Sequence, residues 1–449
     1  MFNRRPVKPE RESSFEEIEA YVQDVITGEQ YWSEEEVSER QGLLQNVLAG
    51  MPTAHLKLIS LIKDLLLNEE LKLLKGINLA GRDADSLAEE IYRRNWGLGI
   101  LEEYYRDGSI DEIRVNGPGP GQVYLVRRGV SEPAERYFED EQEIKAIARR
   151  LLMHDIAVGL DQSQPLAESM RKDGTRVTAT CPPVTEHWTF VLRKHDTFEM
   201  TPENLERHGT ISRRAWDMLA AFARHGVNLL IAGGTNTGKT HLLRRLVAES
   251  SPKRRIIAIE TDRELNLKRH YPDRDCVEFE EHSNVQATME RIFRHVLRYS
   301  ADILIVGEFR GHGEAREAVN ACTRGCEGSM ATAHFSTVEG AIEGAAKLLI
   351  AEGANIPLEM AKTMVAAAFN VVIHMAASRD LGIKKVVRIA EIAPVGDQVV
   401  CRDLVVWKPS GEDYYEGDWE FVNPPSPGLV SRMRQNGLPQ SVAREWGWE

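Results

Sequence analysis

The sequence predicts an α/β protein organised around one phosphate-binding loop, with a small α+β domain and a helical extension ahead of it. Three observations predict this. The stretch Gly233-Gly234-Thr235-Asn236-Thr237-Gly238-Lys239-Thr240 fits G-x-x-x-x-G-K-[ST]; it lies between an apolar run, Val227 to Ala232, and a segment of helical periodicity, His241 to Ala248. Two further apolar runs, Arg255 to Ile259 and Ala301 to Val306, lead into carboxylates, the pattern of strands whose C-terminal ends carry a site in a parallel sheet. Residues 96–200 instead read as short strands and turns, whereas residues 1–95 are helical and charged.

The elements follow in order. In residues 1–95, Ser14-x-x-Glu17 and Ser33-x-x-Glu36 are capping boxes, and Leu56, Leu58, Ile59, Ile62, Leu65, Leu66 and Leu67 give one strongly apolar helix. No residue there suggests chemistry, so this part reads as a helical bundle or interaction arm. In residues 96–200, Ile110 to Val115 and Gln122 to Val126 are strands, 140–154 is a helix with Ile144, Ile147, Ala148, Leu151 and Leu152 on one face, and Asp173 to Val177 and Thr189 to Arg193 are further strands. The polar, turn-rich stretch from His195 to Ser212 reads as a linker, with 201–212 as its body. Residues 213–449 form the P-loop domain: a helix from Arg213 to Arg224, the strand–loop–helix around 233–240, the strands ending near Glu260 and Glu308, a helix from Glu314 to Cys322, and a short strand from Met330 to His334. Strands at Val371 to Met375, Lys385 to Ile389 and Val399 to Trp407 follow, and 408–449 reads as mostly irregular.

Bulk properties narrow the function. At 449 residues the chain holds roughly two to four domains. A net charge of −13 argues against nucleic acid as the main partner. No eighteen uncharged apolar residues run together; the nearest stretch, Met364 to Ser378, is too short and holds Asn370 and His374, so no membrane span is expected. The start, Met1 to Pro6, is polar with no apolar signal segment, and five cysteines show no disulfide framework, which fits the cytosol. Cys322 and Cys326 sit four apart on an expected helix without a second ligand pair, which does not make a metal site.

The loop carries the chemistry. Gly233, Gly234, Thr235, Asn236, Thr237 and Gly238 would turn backbone N–H groups around a phosphate, helped by the positive end of the next helix. Lys239 would reach the β- and γ-phosphates of a nucleotide such as ATP, and Thr240 would hold Mg²⁺ through its hydroxyl. Glu308 would orient or activate the attacking water, while Glu260 and Glu264 suit Mg²⁺ and water positioning, Glu264 reaching the metal through a water. His334, at a strand tip, is a further functional candidate. Arg171, Arg176 and Arg193 together could form an anion-facing edge of the small domain.

These residues together resemble the type II and type IV secretion ATPase superfamily, with the nearest likeness to the ATPases of tight-adherence (Flp-type) pili and of conjugative type IV secretion. The match covers roughly residues 96–435 and keeps four motifs in order. Walker A is 233–240. The aspartate box, usually Ile-Glu-Asp-x-x-Glu-Leu, matches Ile259-Glu260-Thr261-Asp262-Arg263-Glu264-Leu265 with the acid displaced by one; the atypical Walker B matches Ile305 to Gly311; and the histidine box matches Gly328 to His334. The small domain matches through Gly97 to Glu102 and Asp111 to Pro118. The resemblance implies a RecA-like P-loop NTPase domain preceded by a small PAS-like α+β domain, with the helical extension outside the match. It further implies a cytoplasmic homo-hexamer at the inner face of the membrane, working on an inner-membrane platform protein. Nucleotide would lie between the two domains, and the linker would be the hinge. By the same resemblance Glu308 is the catalytic glutamate, Glu260 and Glu264 the box acids, His334 a γ-phosphate or interdomain sensor, and Arg294 and Arg298 fingers offered to a neighbouring subunit. The loop departs from the usual Gly-Thr-Gly-Ser-Gly-Lys-Thr by Asn236-Thr237, and Asn tolerates left-handed backbone better than most residues.

Two other classes stand beside a hydrolysing secretion motor. A nucleic-acid motor of conjugative transfer would show DNA-stimulated, salt-sensitive ATPase activity. A non-catalytic nucleotide-dependent scaffold would bind ATP without hydrolysing it.

Overall fold

The computed structural model describes residues 11–448 apart from 128, 156–157, 195–199, 262, 283–285, 297, 310–313, 324 and 379. The chain divides into two units, Met1–Phe198 and Glu199–Glu449.

The first unit opens with helices α1 (Phe15–Thr27), α2 (Glu34–Leu48), α3 (Ala54–Leu67), α4 (Glu69–Lys75) and α5 (Ala84–Asn95). Both predicted capping boxes form: the Ser14 and Ser33 hydroxyls accept from the amides of Glu17 and Glu36, whose carboxylates accept from the serine amides in return. Leu58, Ile62, Leu65 and Leu66 of α3 pack with Ile18, Val22 and Val25 of α1 and Leu87 and Ile91 of α5. Leu56 and Leu67, predicted to share that stripe, face outward. The chain continues through α6 (Glu102–Arg106), β1 (Glu112–Val115), β2 (Val123–Arg127), β3 (Val130–Pro133), α7 (Glu141–Leu152), β4 (Leu166–Met170), β5 (Arg176–Thr180) and β6 (Thr189–Arg193). The strands form one antiparallel sheet in the order β3-β2-β1-β6-β5-β4. Its inner face, with Ile113, Leu125, Val177, Phe190 and Leu192, packs with Ile144, Ile147 and Leu151 of α7. Strand β4 was not legible because its alternation is inverted: Ala167 and Ser169 point in, while Leu166 and Met170 are exposed.

The second unit contains α8 (Pro202–Arg207), α9 (Arg213–Arg224), β7 (Leu229–Gly233), α10 (Lys239–Glu249), β8 (Ile256–Glu260), α11 (Leu267–His270), β9 (Cys276–Glu280), α12 (Met289–Val296), β10 (Ile303–Phe309), α13 (Glu314–Thr323), β11 (Met330–Ala333), α14 (Val338–Ala351), α15 (Leu358–Ala368), β12 (Val371–Ser378), β13 (Ile383–Val395), β14 (Gln398–Pro409), β15 (Gly417–Phe421), α16 (Pro427–Gln435) and α17 (Gln440–Glu445). The nine strands run β15-β14-β13-β12-β7-β11-β10-β8-β9. From β12 to β9 the neighbours are parallel; β13, β14 and β15 are added antiparallel. The strand before the phosphate loop, β7, lies inside this sheet, and its side chains alternate between two cores: Leu229 and Ile231 in one, Leu230 and Ala232 in the other.

Three expectations change here. The stretch 201–212 is not merely a connector: Thr201 caps α8, Pro202 opens it, and Leu205 and Ile211 are buried in the core with α9. Residues 408–449, expected to be mostly irregular, carry β15, α16 and α17, and Trp448 stacks on Phe222 with ring centroids 6.0 Å apart. Their order comes from such distant contacts and from the Ser426–Pro427 helix start, not from a long apolar period. Cys326 lies beyond the end of α13, with its thiol donating to the Ala301 carbonyl. Strand β9 was also missed, because all five of its residues are only half-buried on the sheet edge and three are polar or thiol-bearing. Among the described residues, no helix is long and apolar enough to cross a membrane.

Candidate nucleotide-binding site

The phosphate loop is shaped by steric need. At Gly233 a Cβ would sit 2.7 Å from both the Met375 carbonyl oxygen and the Thr237 hydroxyl, closer than real Cβ atoms come. Asn236 (φ 63°) and Gly238 (φ 91°) turn left-handed, so the asparagine occupies a position where its side chain is better tolerated than most. Gly234, Thr235 and Asn236 are exposed and Thr237 is buried. The Thr237 hydroxyl (3.0 Å) and the Lys239 ammonium (2.8 Å) both donate to the Gly234 carbonyl, which folds the loop over its own lysine. Lys239 is buried, and that burial pushes its pKa down, opposed by the nearby Glu308 and Glu264 carboxylates.

Glu308 reaches the loop through an irregularity in its strand. Val306 pairs with Ala331, but Phe309 pairs with Ala333, so β10 carries one residue more than β11 over this interval. Such a bulge re-aims a side chain. The buried Thr332 hydroxyl, 2.5 Å from the Gly307 carbonyl, fastens it. Glu308 Oε1 then lies 2.5 Å from His334 Nε2, and His334 Nδ1 lies 3.5 Å from Lys239 Nζ. Lysine offers only hydrogens, so Nδ1 accepts and the Nε2 hydrogen is the one Glu308 receives. Lys239, His334 and Glu308 therefore form one line across the loop.

The box acids divide. Glu264 Oε2 accepts from the Thr240 hydroxyl at 3.4 Å, at the first turn of α10. Glu260 is buried at the end of β8. Its Oε1 accepts the amides of Glu264 and Leu265, each at 3.0 Å, and burial pushes its pKa up to about 8, with Glu278 and Glu264 adding to the rise and the two amides opposing it. The structure therefore brings Lys239, Thr240, Glu264, Glu308 and His334 together and places Glu260 behind them. Asp262, and Arg310 and Gly311 of the Walker B match, lie outside the described residues.

The remaining candidates lie elsewhere. Arg294, on α12, is exposed and pairs with Glu290 one turn away; Arg298, past the end of that helix, is exposed as well. In the first unit Arg176 and Arg193 are register partners on the outer sheet face, with Arg176 3.5 Å from Glu168. Arg171 does not join them. It is buried against the helical extension, donating to the Val47 carbonyl at 3.4 Å and lying 5.6 Å from the centre of the Tyr105 ring. Gly50 makes room for it, since a Cβ there would lie 2.7 Å from its Nε.

Sequence reasoning missed the supporting residues: Thr332 at the bulge, Gly307 against Glu260, and Phe335 on Gly344 of α14, where a Cβ would lie 2.0 Å from the ring. The signal for Gly307 was visible as a glycine inside an otherwise bulky apolar strand.

The site fits a Mg–nucleotide. The loop, the cationic Lys239 and the helix N-terminus suit phosphate, and the Thr240 hydroxyl beside Glu264 offers oxygen donors. Among the described residues, no group of three or more His, Cys, Asp or Glu could hold a metal ion.

Residues 98–402, more than half of the chain, match the family model described as type II/IV secretion system protein. The chain belongs to the type II/IV secretion ATPase superfamily. Among its relatives, the uncharacterized protein MJ0781 of Methanocaldococcus jannaschii is 30% identical over 267 residues, covering 57% of this chain and 36% of that protein; the chain thus spans about a third of that relative's length. The type IV secretion system protein VirB11 of Brucella suis is 26% identical over 317 residues, 63% of this chain and 85% of VirB11. The solved structure of the Legionella pneumophila ATPase DotB aligns with 77% of this chain and 90% of its own at 17% identity, with a TM-score of 0.46.

Proposed function

We propose that this secretion-superfamily member is a Mg-dependent ATPase, a cytoplasmic homo-hexameric motor that powers pilus assembly or protein secretion through an inner-membrane platform. The observation that carries the reading is the line Lys239–His334–Glu308 across a P-loop, which sets a phosphate-neutralising cation and a candidate base on either side of one histidine. ATP supplies the phosphoanhydride bond and Mg²⁺ neutralises phosphate charge; Thr240 and Glu264 are the residues that would hold the metal, Glu264 through a water. Lys239 counters phosphate charge, Glu308 takes the proton of the attacking water, and His334 holds Glu308 in place until the site is filled. The exposed Arg294 and Arg298 are available to a neighbouring subunit's site, which supports their role as fingers in trans. Arg176 and Arg193, register partners on the outer sheet face, are proposed as an anion-facing edge of the small domain. Within this reading the second unit is a RecA-like core and the small antiparallel domain is PAS-like.

The test is nucleotide binding and hydrolysis in three proteins. Lys239→Ala is expected to lose tight ATP binding. Glu308→Gln is expected to bind ATP and turn over at least ~100-fold more slowly, the scale of losing a general base. Wild-type affinity in Lys239→Ala, or near-normal turnover in Glu308→Gln, contradicts the assignment.

A further inference from the structure

Glu260 has the residue type of a metal or catalytic acid but not the placement. Its side chain is buried, with only 3% of the residue exposed. One carboxyl oxygen, Oε1, is taken up by two backbone amides, those of Glu264 and Leu265, each at 3.0 Å. The other, Oε2, is buried without a hydrogen-bond partner among the described residues. The neighbouring strand is built around this side chain. A Cβ on Gly307 would lie 2.8 Å from Glu260 Cγ and 3.4 Å from both Cβ and Oε1. Any other residue at 307 would push Glu260 away from the amides it holds, which gives a physical reason for glycine beside Glu308. The clasp acts on one turn only. It spans 260 to 265, and the same turn delivers Glu264 to within 3.4 Å of the Thr240 hydroxyl.

We propose that Glu260 is a positioning residue: its carboxyl oxygen clasps the 264–265 amides, sets Glu264 opposite Thr240, and requires glycine at 307. This rests on the nucleotide reading of the site only for the consequence, because the clasp itself is a matter of hydrogen bonds. Glutamine keeps an acceptor oxygen at the same reach, so the clasp survives Glu260→Gln and is lost in Glu260→Ala.

The experiment compares full-length wild type, Glu260→Ala, Glu260→Gln and Gly307→Ala by two readouts. The first is amide hydrogen exchange at Glu264 and Leu265. The second is ADP affinity with and without Mg²⁺. In Glu260→Ala the two amides are expected to exchange on the order of tenfold faster, the scale of a lost buried hydrogen bond. The Mg²⁺-dependent part of ADP affinity falls by a similar factor while Mg²⁺-free affinity is kept. Gly307→Ala reproduces both effects with the Glu260 carboxyl group still present, and serves if Glu260→Ala does not fold. Glu260→Gln restores both. Protection that persists in Glu260→Ala, or a Glu260→Gln protein as impaired as Glu260→Ala, overturns the proposal; the second result would show that an acceptor oxygen at this position is not enough. A wild-type protein that binds no ADP refutes the nucleotide reading instead, and the exchange measurement then decides the clasp by itself.

Discussion

Replacing Gly344 by alanine tests how the site histidine is held. Gly344 lies on α14, and Phe335, the residue after His334, stands with its ring directly on the helix backbone there. The added methyl would lie 2.0 Å from one ring carbon and 2.2 Å from another. Ordinary contact is about 3.5–4 Å, so the ring must retreat by roughly 1.5 Å. Overpacking of this kind costs about 1–3 kcal/mol, which leaves most of a domain's stability intact. The ring is one residue from His334, whose contacts to Glu308 and Lys239 are 2.5 Å and 3.5 Å, and a shift of that size passed on to His334 would break both. A misplacement of about 1 Å in a catalytic constellation can cost on the order of 100-fold in rate. Gly344→Ala is therefore expected to melt a few degrees lower, to keep its ADP affinity, and to lose roughly 10- to 100-fold in kcat. The assay pairs a thermal melt with steady-state Mg-ATP hydrolysis and ADP titration. The double variant Gly344→Ala/Phe335→Ala removes the clash together with the ring that packs on the core, and is expected not to regain the rate. A folded Gly344→Ala protein with wild-type kcat would refute the claim that Phe335 sets His334.

Two further outcomes concern stability. Asn228 is fully buried and joins three elements, donating to the Ala368 carbonyl at 2.7 Å and accepting the amides of Gly328 and Ser329 at 2.8 and 3.0 Å. Asn228→Ala strands all three groups, and at about 1–3 kcal/mol for each, partly relieved by water, unfolding of the second unit in urea should lose roughly 3–5 kcal/mol; a loss below about 1 kcal/mol would contradict the bolt. His225 and His374 are neutral histidines whose pKa values are lowered first by burial, with Arg224 and Arg254 beside His225 and Arg388 beside His374 acting the same way. The unfolded chain takes up their protons near the ordinary value of about 6.5 and the folded chain only below it, so their contribution is full above that pH and is lost as pH falls through the folded values. His374→Gln should flatten the fall in urea midpoint between neutral and acid pH, and a steeper fall in the variant would reverse the sign.

How much was legible depends on whether the determining contact was local. The phosphate loop, Glu308 and His334 were readable because glycines, a lysine and strand-terminal polar residues follow one another in the chain. The capping boxes were readable for the same reason, and both form. Glu260 shows the limit. Its residue type and strand end matched an acid of the reaction, but its partners, Gly307 and the turn amides, could be found only once β8 and β10 were paired. Arg171 is a parallel case: nothing near it in sequence announces Gly50 and Val47, which lie on another element. The C-terminal helices were missed because their apolar residues earn no long period of their own and are ordered by packing on α9 and the sheet. Strand β4 was missed because its large apolar side chains face outward.

The central claim is a hydrolytic site completed by a neighbouring subunit. Mg-ATP turnover per subunit, followed over a wide range of protein concentration, tests it most directly. Specific activity that rises steeply with concentration, and an Arg298→Ala variant that binds ATP without hydrolysing it at any concentration, are the expected results. Appreciable turnover that is flat down to the lowest concentration, or ATP binding with no hydrolysis at the highest, would contradict the account.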